Sequence, residues 1–260
     1  MSETETVGTA RLVLIGVATG LLGGFFGVGG GIILVPLLVW VGFGRHRAHA
    51  TSLASFIVIA TAGAISFGVA GAIDVGVGVA VGLGGIVGST IGASLMHRMS
   101  ARNLAIAFSL VLLVTGLRMV SGAEPLPGSA EFGATDLILI GVAIGLVSGL
   151  FAGLAGIGGG VVIVPATVLL LGLDQHVAQG ASLVAIVLTA IAGSVVNLRN
   201  RRVQIKDSLM IGAGGVVGSV AAVRMALGIE GRTLSMAFGF LVLFVAGRTL
   251  YRTLRRPAVA

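Results

Sequence analysis

The sequence predicts an all-α polytopic membrane protein made of two inverted structural repeats. Each repeat reads as a glycine-broken re-entrant hairpin plus three transmembrane helices, giving eight to ten membrane segments in all. Three observations carry that expectation. Of the 260 residues, 56% are hydrophobic and only 10% are charged, and the mean hydropathy is +1.13. Soluble domains carry about 25% charged residues, so this chain lacks the polar content to cover a soluble globule. Its apolar runs reach the roughly 20 residues that a helix needs to cross a bilayer. Finally, the stretch GLLGGFFGVGGGIILVP at Gly20–Pro36 returns as GLFAGLAGIGGGVVIVP at Gly149–Pro165.

The elements follow in order. The first repeat, 10–120, opens with a broken segment whose limbs cover 10–28 and 32–43, and continues with helices over 49–69, 75–97 and 102–120. A polar linker occupies 121–135. The second repeat, 136–252, reads as limbs over 136–157 and 161–173, then helices over 178–198, 206–225 and 231–250. Beyond the glycine motif, Ser52-Leu53 matches Ser182-Leu183, Gly63 matches Gly193, and Gly84–Ser89 matches Gly214–Ser219, all 130 residues apart. Similarity at a fixed offset marks a duplicated unit. Within the helices, Gly16, Gly20 and Gly24, then Gly84, Gly88 and Gly92, then Gly141, Gly145, Gly149 and Gly153 recur at four-residue spacing. Such stripes let helix backbones approach closely in lipid, where no hydrophobic effect drives association.

Charge decides the orientation. If the two limbs of each broken segment together cross the membrane once, the repeats are parallel and the arginines divide between both faces. If the limbs form a hairpin, the repeats are inverted. Arg11, Arg45, Arg47, Arg102, Arg199, Lys206, Arg252 and Arg255 then share one face, and the acidic linker with Glu124 and Glu131 lies on the other. The excess of basic residues in cytoplasmic loops favours the second arrangement, with both termini cytoplasmic and the linker extracytoplasmic. A second limb of about 12 residues spans only about 18 Å as a helix, so it stops near mid-membrane. The N-terminal MSETETVGTA lacks a basic n-region, so no cleaved signal peptide is expected. The net charge of +7 sits in short loops between apolar segments. That is a topology signal and not a nucleic-acid surface.

Breaking a helix in lipid is costly unless the freed backbone lines a cavity or is buried in protein. Consecutive glycines let the chain turn sharply and let a ligand reach the bare backbone. The helix that restarts after them presents unpaired N–H groups at its positive end, which is a ready anion site. Two inverted repeats would bring Gly29, Gly30 and Gly31 close to Gly158, Gly159 and Gly160. Pro36 and Pro165 fit at or near the start of the restarted helix, where a missing N–H costs nothing. Thr51, Ser52 and Ser55, with Ser182 in the second repeat, are read as opening the next helix, either as caps or as donors to an anion. Gln179 and Asn197 are weaker candidates near the ends of one helix. His46 and His49 accompany Arg45 and Arg47 in a basic surface loop.

The absences narrow the function. There is no cysteine, hence no disulfide or thiolate metal site. No Asp, Glu or Lys lies in the middle of an apolar run, so no carboxylate relay crosses the membrane. Asp74 and Asp207 fall at segment edges, and Arg118, Arg224 and Arg248 lie near helix ends. None of His46, His49, His97 and His176 has a carboxylate at ligand spacing, and there is no nucleophile–base pair. Neither enzymatic activity nor a cofactor is expected. The glycine motif does not complete a dinucleotide fingerprint, since no strand and no acidic ribose partner accompany it.

The doubled GxGGGxxxxP, as GVGGGIILVP and GIGGGVVIVP, is followed each time by a polar-Ser-Leu element, in ATSLAS and GASLVA. In this the chain resembles the TauE/SafE sulfite-exporter family of anion permeases. The stretch NLRNRRVQIKDSLMIGAGGVVGS fits the same family, and the resemblance covers about 10–250. It implies transport of small sulfur-containing anions, such as sulfite, sulfoacetate or other organosulfonates, across a bacterial inner membrane. It also implies about eight transmembrane segments, against the up to ten that the charge argument counts. Ala181 stands where the first repeat has Thr51, which sets the two repeats' substrate contacts apart.

The resulting expectation is a transporter that holds its anion between the two broken hairpins. Backbone N–H groups of Gly29–Gly31 and Gly158–Gly160 would be the main contacts, with Thr51, Ser52, Gln179 and Ser182 around them. The alternatives are an anion channel or facilitator for other small oxyanions or carboxylates, and a non-transporting accessory subunit. Expected partners are the small anionic substrate and the lipid bilayer, with no nucleic acid; a homodimer is compatible with the sequence. Gly30→Val or Gly159→Val is expected to abolish transport in a protein that still folds.

Overall fold

A computed structural model describes residues 8–95, 101–122, 132–155, 159–200 and 203–255. These residues form ten helices and no strand: α1 (Thr9–Phe26), α2 (Gly31–Trp40), α3 (Arg45–Val69), α4 (Val75–Leu95), α5 (Ala101–Val120), α6 (Ala134–Ala155), α7 (Gly160–Leu171), α8 (Gln175–Arg199), α9 (Ile205–Leu227) and α10 (Gly231–Arg255). Every limb and helix expected from the sequence is present. α10 runs five residues past its expected end, and α3 and α8 begin about a turn earlier than expected. The first turns of α3 and α8 are polar, so hydropathy alone misses them. In α8 the Asp174 carboxylate accepts a hydrogen bond from the His176 backbone N–H at 2.9 Å and fixes the start.

Among the described residues, seven helices (α1, α3, α4, α6, α8, α9 and α10) are long and apolar enough to cross a membrane. Large apolar side chains such as Leu14, Leu139, Val217 and Phe244 are exposed on four different helices. In water that surface would aggregate, whereas a bilayer accommodates it.

The glycine stripes are helix contacts. A methyl group at Gly16, Gly20 or Gly24 of α1 would strike the backbone of Ile211, Gly215 or Ser219 on α9. On the other side of the molecule, Gly84, Gly88 and Gly92 of α4 meet Val142, Leu146 and Leu150 of α6, while Gly145 and Gly149 of α6 meet Val81 and Gly85 of α4. Gly153 lies beyond what is described at side-chain level. The contact numbers rise together, so α1 runs parallel to α9 and α4 runs parallel to α6. By the same reading α3 runs parallel to α9, with Val58 against Gly212 and Gly63 against Ser219, and α8 runs parallel to α4. Gly63 lies against Leu183 and Gly193 against Leu53, so α3 and α8 are antiparallel. Gly116 lies against Leu243 and Gly122 against Arg232, so α5 and α10 are antiparallel as well.

These directions determine what α2 does. Both α1 and α3 run with α9, so the chain must travel back between them. The reversal happens at the glycines: Gly27, Gly29 and Gly30 have φ of 68°, 67° and 76°, a left-handed conformation that favours glycine. Gly30 returns to lie against Thr19 of α1. With 10 residues, α2 is about 15 Å long, half the hydrocarbon thickness.

The prolines depart from expectation. Pro36 and Pro165 lie inside α2 and α7, past the first turn, so each leaves the carbonyl four residues earlier without its helical partner. The two short helices also differ in surroundings. Pro165 and most of α7 are buried, in a core shared with Phe108 and Leu112 of α5 and Phe238 and Val242 of α10. On α2, Pro36, Val39 and Trp40 are exposed.

Candidate functional site

The two glycine breaks converge. Gly160, the first residue of α7, packs directly on the backbone of Val28, between Gly27 and Gly29 of the first break. A Cβ at Gly160 would lie 2.8 Å from Val28 Cα and 3.1 Å from Ile186 Cδ1, and one at Gly29 would lie 3.0 Å from Ile186 Cγ2. Ile186 of α8 therefore lies over both breaks. Of the second triplet it is Gly160 that reaches the first break, whereas Gly159 faces Ile163 and Ser148 of its own repeat. Gly158 lies outside the described residues.

The backbone around the breaks leaves donors free. Ile33 and Leu34 N–H donate to Gly30 O at 3.1 and 3.0 Å, and Val162 and Ile163 N–H donate to Gly159 O at 3.0 Å. The N–H groups of Gly29, Gly30 and Gly31, and those of Gly160 and Val161, have no partner among the described residues. They stand at the starts of α2 and α7, where the helix dipole is positive. A small apolar cavity lined by Leu22, Phe26, Val28, Gly30, Ile33 and Leu241 adjoins the first break.

The side chain against Gly27 is Gln179. It is fully buried and lies along Gly27, whose Cβ would come within 2.7 Å of Gln179 Cα and Cβ. Its Nε2 donates to Phe25 O at 3.2 Å, closing one of the carbonyls left open at the end of α1. Its Oε1 is buried without a partner, as is the hydroxyl of Ser182. Gln179, Ser182 and Ile186 fall three and four residues apart, on one face of α8. The sequence ranked Gln179 as a weak helix-end residue. Its contact spans half the chain, and the only local hint is the face it shares with Ser182.

The other candidates are placed elsewhere. Thr51, Ser52 and Ser182 cap nothing: they lie two turns inside α3 and α8, whose N-caps are Gly44 and Asp174. Thr51 belongs to a polar knot between α3 and α9. Ser208 Oγ donates to Thr51 O at 3.2 Å, and Ser55 Oγ lies 2.9 Å from Thr51 O and 3.1 Å from Ser208 O. Ser52 Oγ donates to His49 O of its own helix at 3.2 Å, and Asn197 Nδ2 donates to Gly193 O at 2.8 Å. His46 is exposed and His49 half-buried, both in the first turns of α3 rather than in a loop. His176 does meet a carboxylate, with Nδ1 3.1 Å from Asp174 Oδ1, as part of the α8 start.

Sequence reading missed Thr19 under Gly30, Ile186 over both breaks, and Ser219, whose buried hydroxyl has no partner and faces Gly24 and Gly63. Ser219 was visible as the end of the repeated Gly-Ser pair. Thr19 and Ile186 carry no signal beyond their helix.

Comparison with known proteins agrees with this architecture. The chain matches the family described as Sulfite exporter TauE/SafE over residues 2–119 and 141–259. It is 30% identical over 256 residues, 95% of each chain, to a probable membrane transporter protein of Xylella fastidiosa strain Temecula1. It is 24% identical over 263 residues to a probable membrane transporter protein of Bacillus subtilis, covering 92% of this chain and 96% of that one. With both halves matched and end-to-end similarity to membrane transporters, the chain belongs to the TauE/SafE sulfite exporter family of membrane transporters.

Proposed function

We propose that the protein exports small sulfur-containing anions, such as sulfite or organosulfonates, across the bacterial inner membrane, with the anion held where the two glycine breaks meet. The observation that carries this reading is the contact of Gly160 with Val28. It sets the starts of two short helices beside one another, with N–H groups that have no partner among the described residues. Helix N-termini of broken helices aimed at a shared midpoint are the usual anion site of transporters built from repeats. Gly29, Gly30, Gly31, Gly159 and Gly160 supply backbone donors, with Ser182 and Gln179 beside them.

The same reading divides the chain into repeats 10–120 and 136–252 around an extracytoplasmic linker at 121–135. It makes α1–α2 and α6–α7 re-entrant hairpins. The helix directions support inversion, because α3 opposes its counterpart α8 and α5 opposes its counterpart α10. Alternating access then comes from rocking one repeat against the other.

The test is efflux from proteoliposomes loaded with sulfite. Saturable efflux is expected, together with a rise in melting temperature on adding sulfite to the purified protein, by mass action. Conductance that never saturates would instead make the protein a channel. Absence of both flux and thermal shift would remove the anion site.

A further inference from the structure

We infer that a buried face of α8, carrying Gln175, Gln179 and Ser182, is the anion's route between one side of the membrane and the glycine breaks. The route is shut in this conformation. The matching face of α3, with Arg45, His49 and Ser52, is the route on the other side. This rests on the transport reading above and adds a path to it.

The first reason is unmet hydrogen bonding along one face. Gln175, Gln179 and Ser182 are all buried, and their spacing of four and three residues sets them on one side of α8. Printed contacts fix where that side leads: Gln179 lies along Gly27, and Ile186, one turn past Ser182, lies against both Gly29 and Gly160. Ser182 falls between the two. At the outer end, Gln175 Cβ lies 3.8 Å from where a Cβ on Gly231 of α10 would stand. Among the described residues, seven buried side-chain polar atoms lack a hydrogen-bond partner, and four of them are here: both ends of the Gln175 amide, Gln179 Oε1 and Ser182 Oγ. Buried polar groups are costly unless paired. The other sides of α8 avoid that cost with apolar residues, Leu183 packing on Gly63, Val184 on Gly78 and Leu188 on Gly82. A side that served packing alone would be apolar too. Polar groups turned into a bundle at membrane depth fit a path that fills with water and substrate when it opens.

The second reason is the duplication. Over 47–69 and its counterpart 177–199, the only positions with a polar side chain in both copies are His49 with Gln179 and Ser52 with Ser182. Arg45 and Gln175 head the two faces. Hydroxyls that tie one helix to its neighbours, such as Thr51 and Ser55, have alanine in the other copy. What both copies keep is this face. The two differ in exposure: Arg45 is exposed, His49 half-buried and Ser52 buried, whereas the α8 face is closed along its length. Since α3 and α8 are antiparallel, the open face leads to one end of the molecule and the shut face to the other. Arg45 gathers anions at the open mouth, and Gln175 gives the opposite mouth no such hold.

The experiment places single cysteines in the full-length protein, which has none of its own, and measures their reaction with 2-sulfonatoethyl methanethiosulfonate, a thiol reagent that is itself a small sulfonate. The comparators Leu183→Cys and Ala185→Cys are equally buried but face α3 and α4. In proteoliposomes, Gln175→Cys, Gln179→Cys and Ser182→Cys should react about tenfold faster than the comparators or more, because an open state is populated at about 0.1–10% and the comparators are reached only by local unfolding. Excess 2-hydroxyethanesulfonate should slow the reaction at Gln179→Cys and Ser182→Cys. In intact cells the reagent should reach Ser182→Cys from outside and Ser52→Cys only after permeabilisation. Equal rates at all five α8 positions, or no slowing by the competitor, would overturn the path and leave the anion site standing. Reaction of Ser52→Cys and Ser182→Cys from the same side would overturn the pairing of the two faces. Wild-type protein that shows neither sulfite efflux nor a thermal shift with sulfite would overturn the transport reading itself. If Gln179→Cys does not fold, Ser182→Cys decides, since it exchanges only an oxygen for a sulfur.

Discussion

Gly30 and Gly159 occupy matching places in the repeat, yet their backbones differ. Gly30 has φ 76° and faces Thr19 so closely that a Cβ would overlap Thr19 Cγ2. Gly159 has φ −69°, and a Cβ there would meet Ile163 Cδ1 at 3.4 Å and Ser148 Cβ at 3.5 Å, ordinary contact. Left-handed backbone costs a substituted residue about 1–2 kcal/mol before any collision. Gly30→Ala should therefore lower the melting temperature by many degrees, and Gly159→Ala by few. Equal melting curves for the two variants would contradict this account of the turn. The sequence-based expectation that Gly30→Val still folds is withdrawn on the same ground. The need for glycine was legible in the triplet, but which glycine bears the strain was not, because that depends on where Thr19 of α1 stands.

At the scale of elements, the glycine stripes hold α1 to α9 and α4 to α6 by direct backbone contact. Adding a methyl group at Gly20 or Gly88 pushes a whole helix off its neighbour, since the obstacle is backbone and not a side chain that can swing away. Gly247 of α10 has nothing within 4 Å, and alanine there gains helix propensity of about 1 kcal/mol. Gly20→Ala and Gly88→Ala should each lower the melting temperature in detergent, while Gly247→Ala leaves it unchanged or raised; the reverse order would mean the stripes do not bear the packing. Four-residue spacing made the stripes legible, as local apolar runs made the ten helices legible. Their partners were not, because α1 packs on a helix of the other repeat. The same distance hid Gln179, whose partner Phe25 belongs to the first repeat. Pro36 and Pro165 misled in a different way: a helix-start preference is a tendency of the residue, and the two helices begin at the preceding glycines regardless.

Over the whole molecule, the directions of the helices and the distribution of charge make one argument. With α1 and α3 parallel and α2 returning between them, the proposed inversion has three passes after the hairpin leave the first repeat on the face opposite to its start, and has the second repeat bring the chain back. The basic ends of α3, α8 and α10, with Arg45, Arg199, Arg252 and Arg255, then gather on one side. The two halves need not be packed alike at any moment: α7 is enclosed by α5 and α10 while α2 is open. Exchanging those environments would turn the site to the other face. Inversion places Arg45, at the start of α3, and Glu230, before α10, on opposite faces, whereas parallel repeats would place them together. The chain has no cysteine, so single cysteines report without a background. In intact cells a membrane-impermeant maleimide should label Glu230→Cys and Ser121→Cys, and should reach Arg45→Cys only after permeabilisation, because cytoplasmic loops hold the arginines. Labelling of Arg45→Cys and Glu230→Cys from the same side would rule out inverted repeats, and the opposed hairpins that frame the proposed site would have to be abandoned with them.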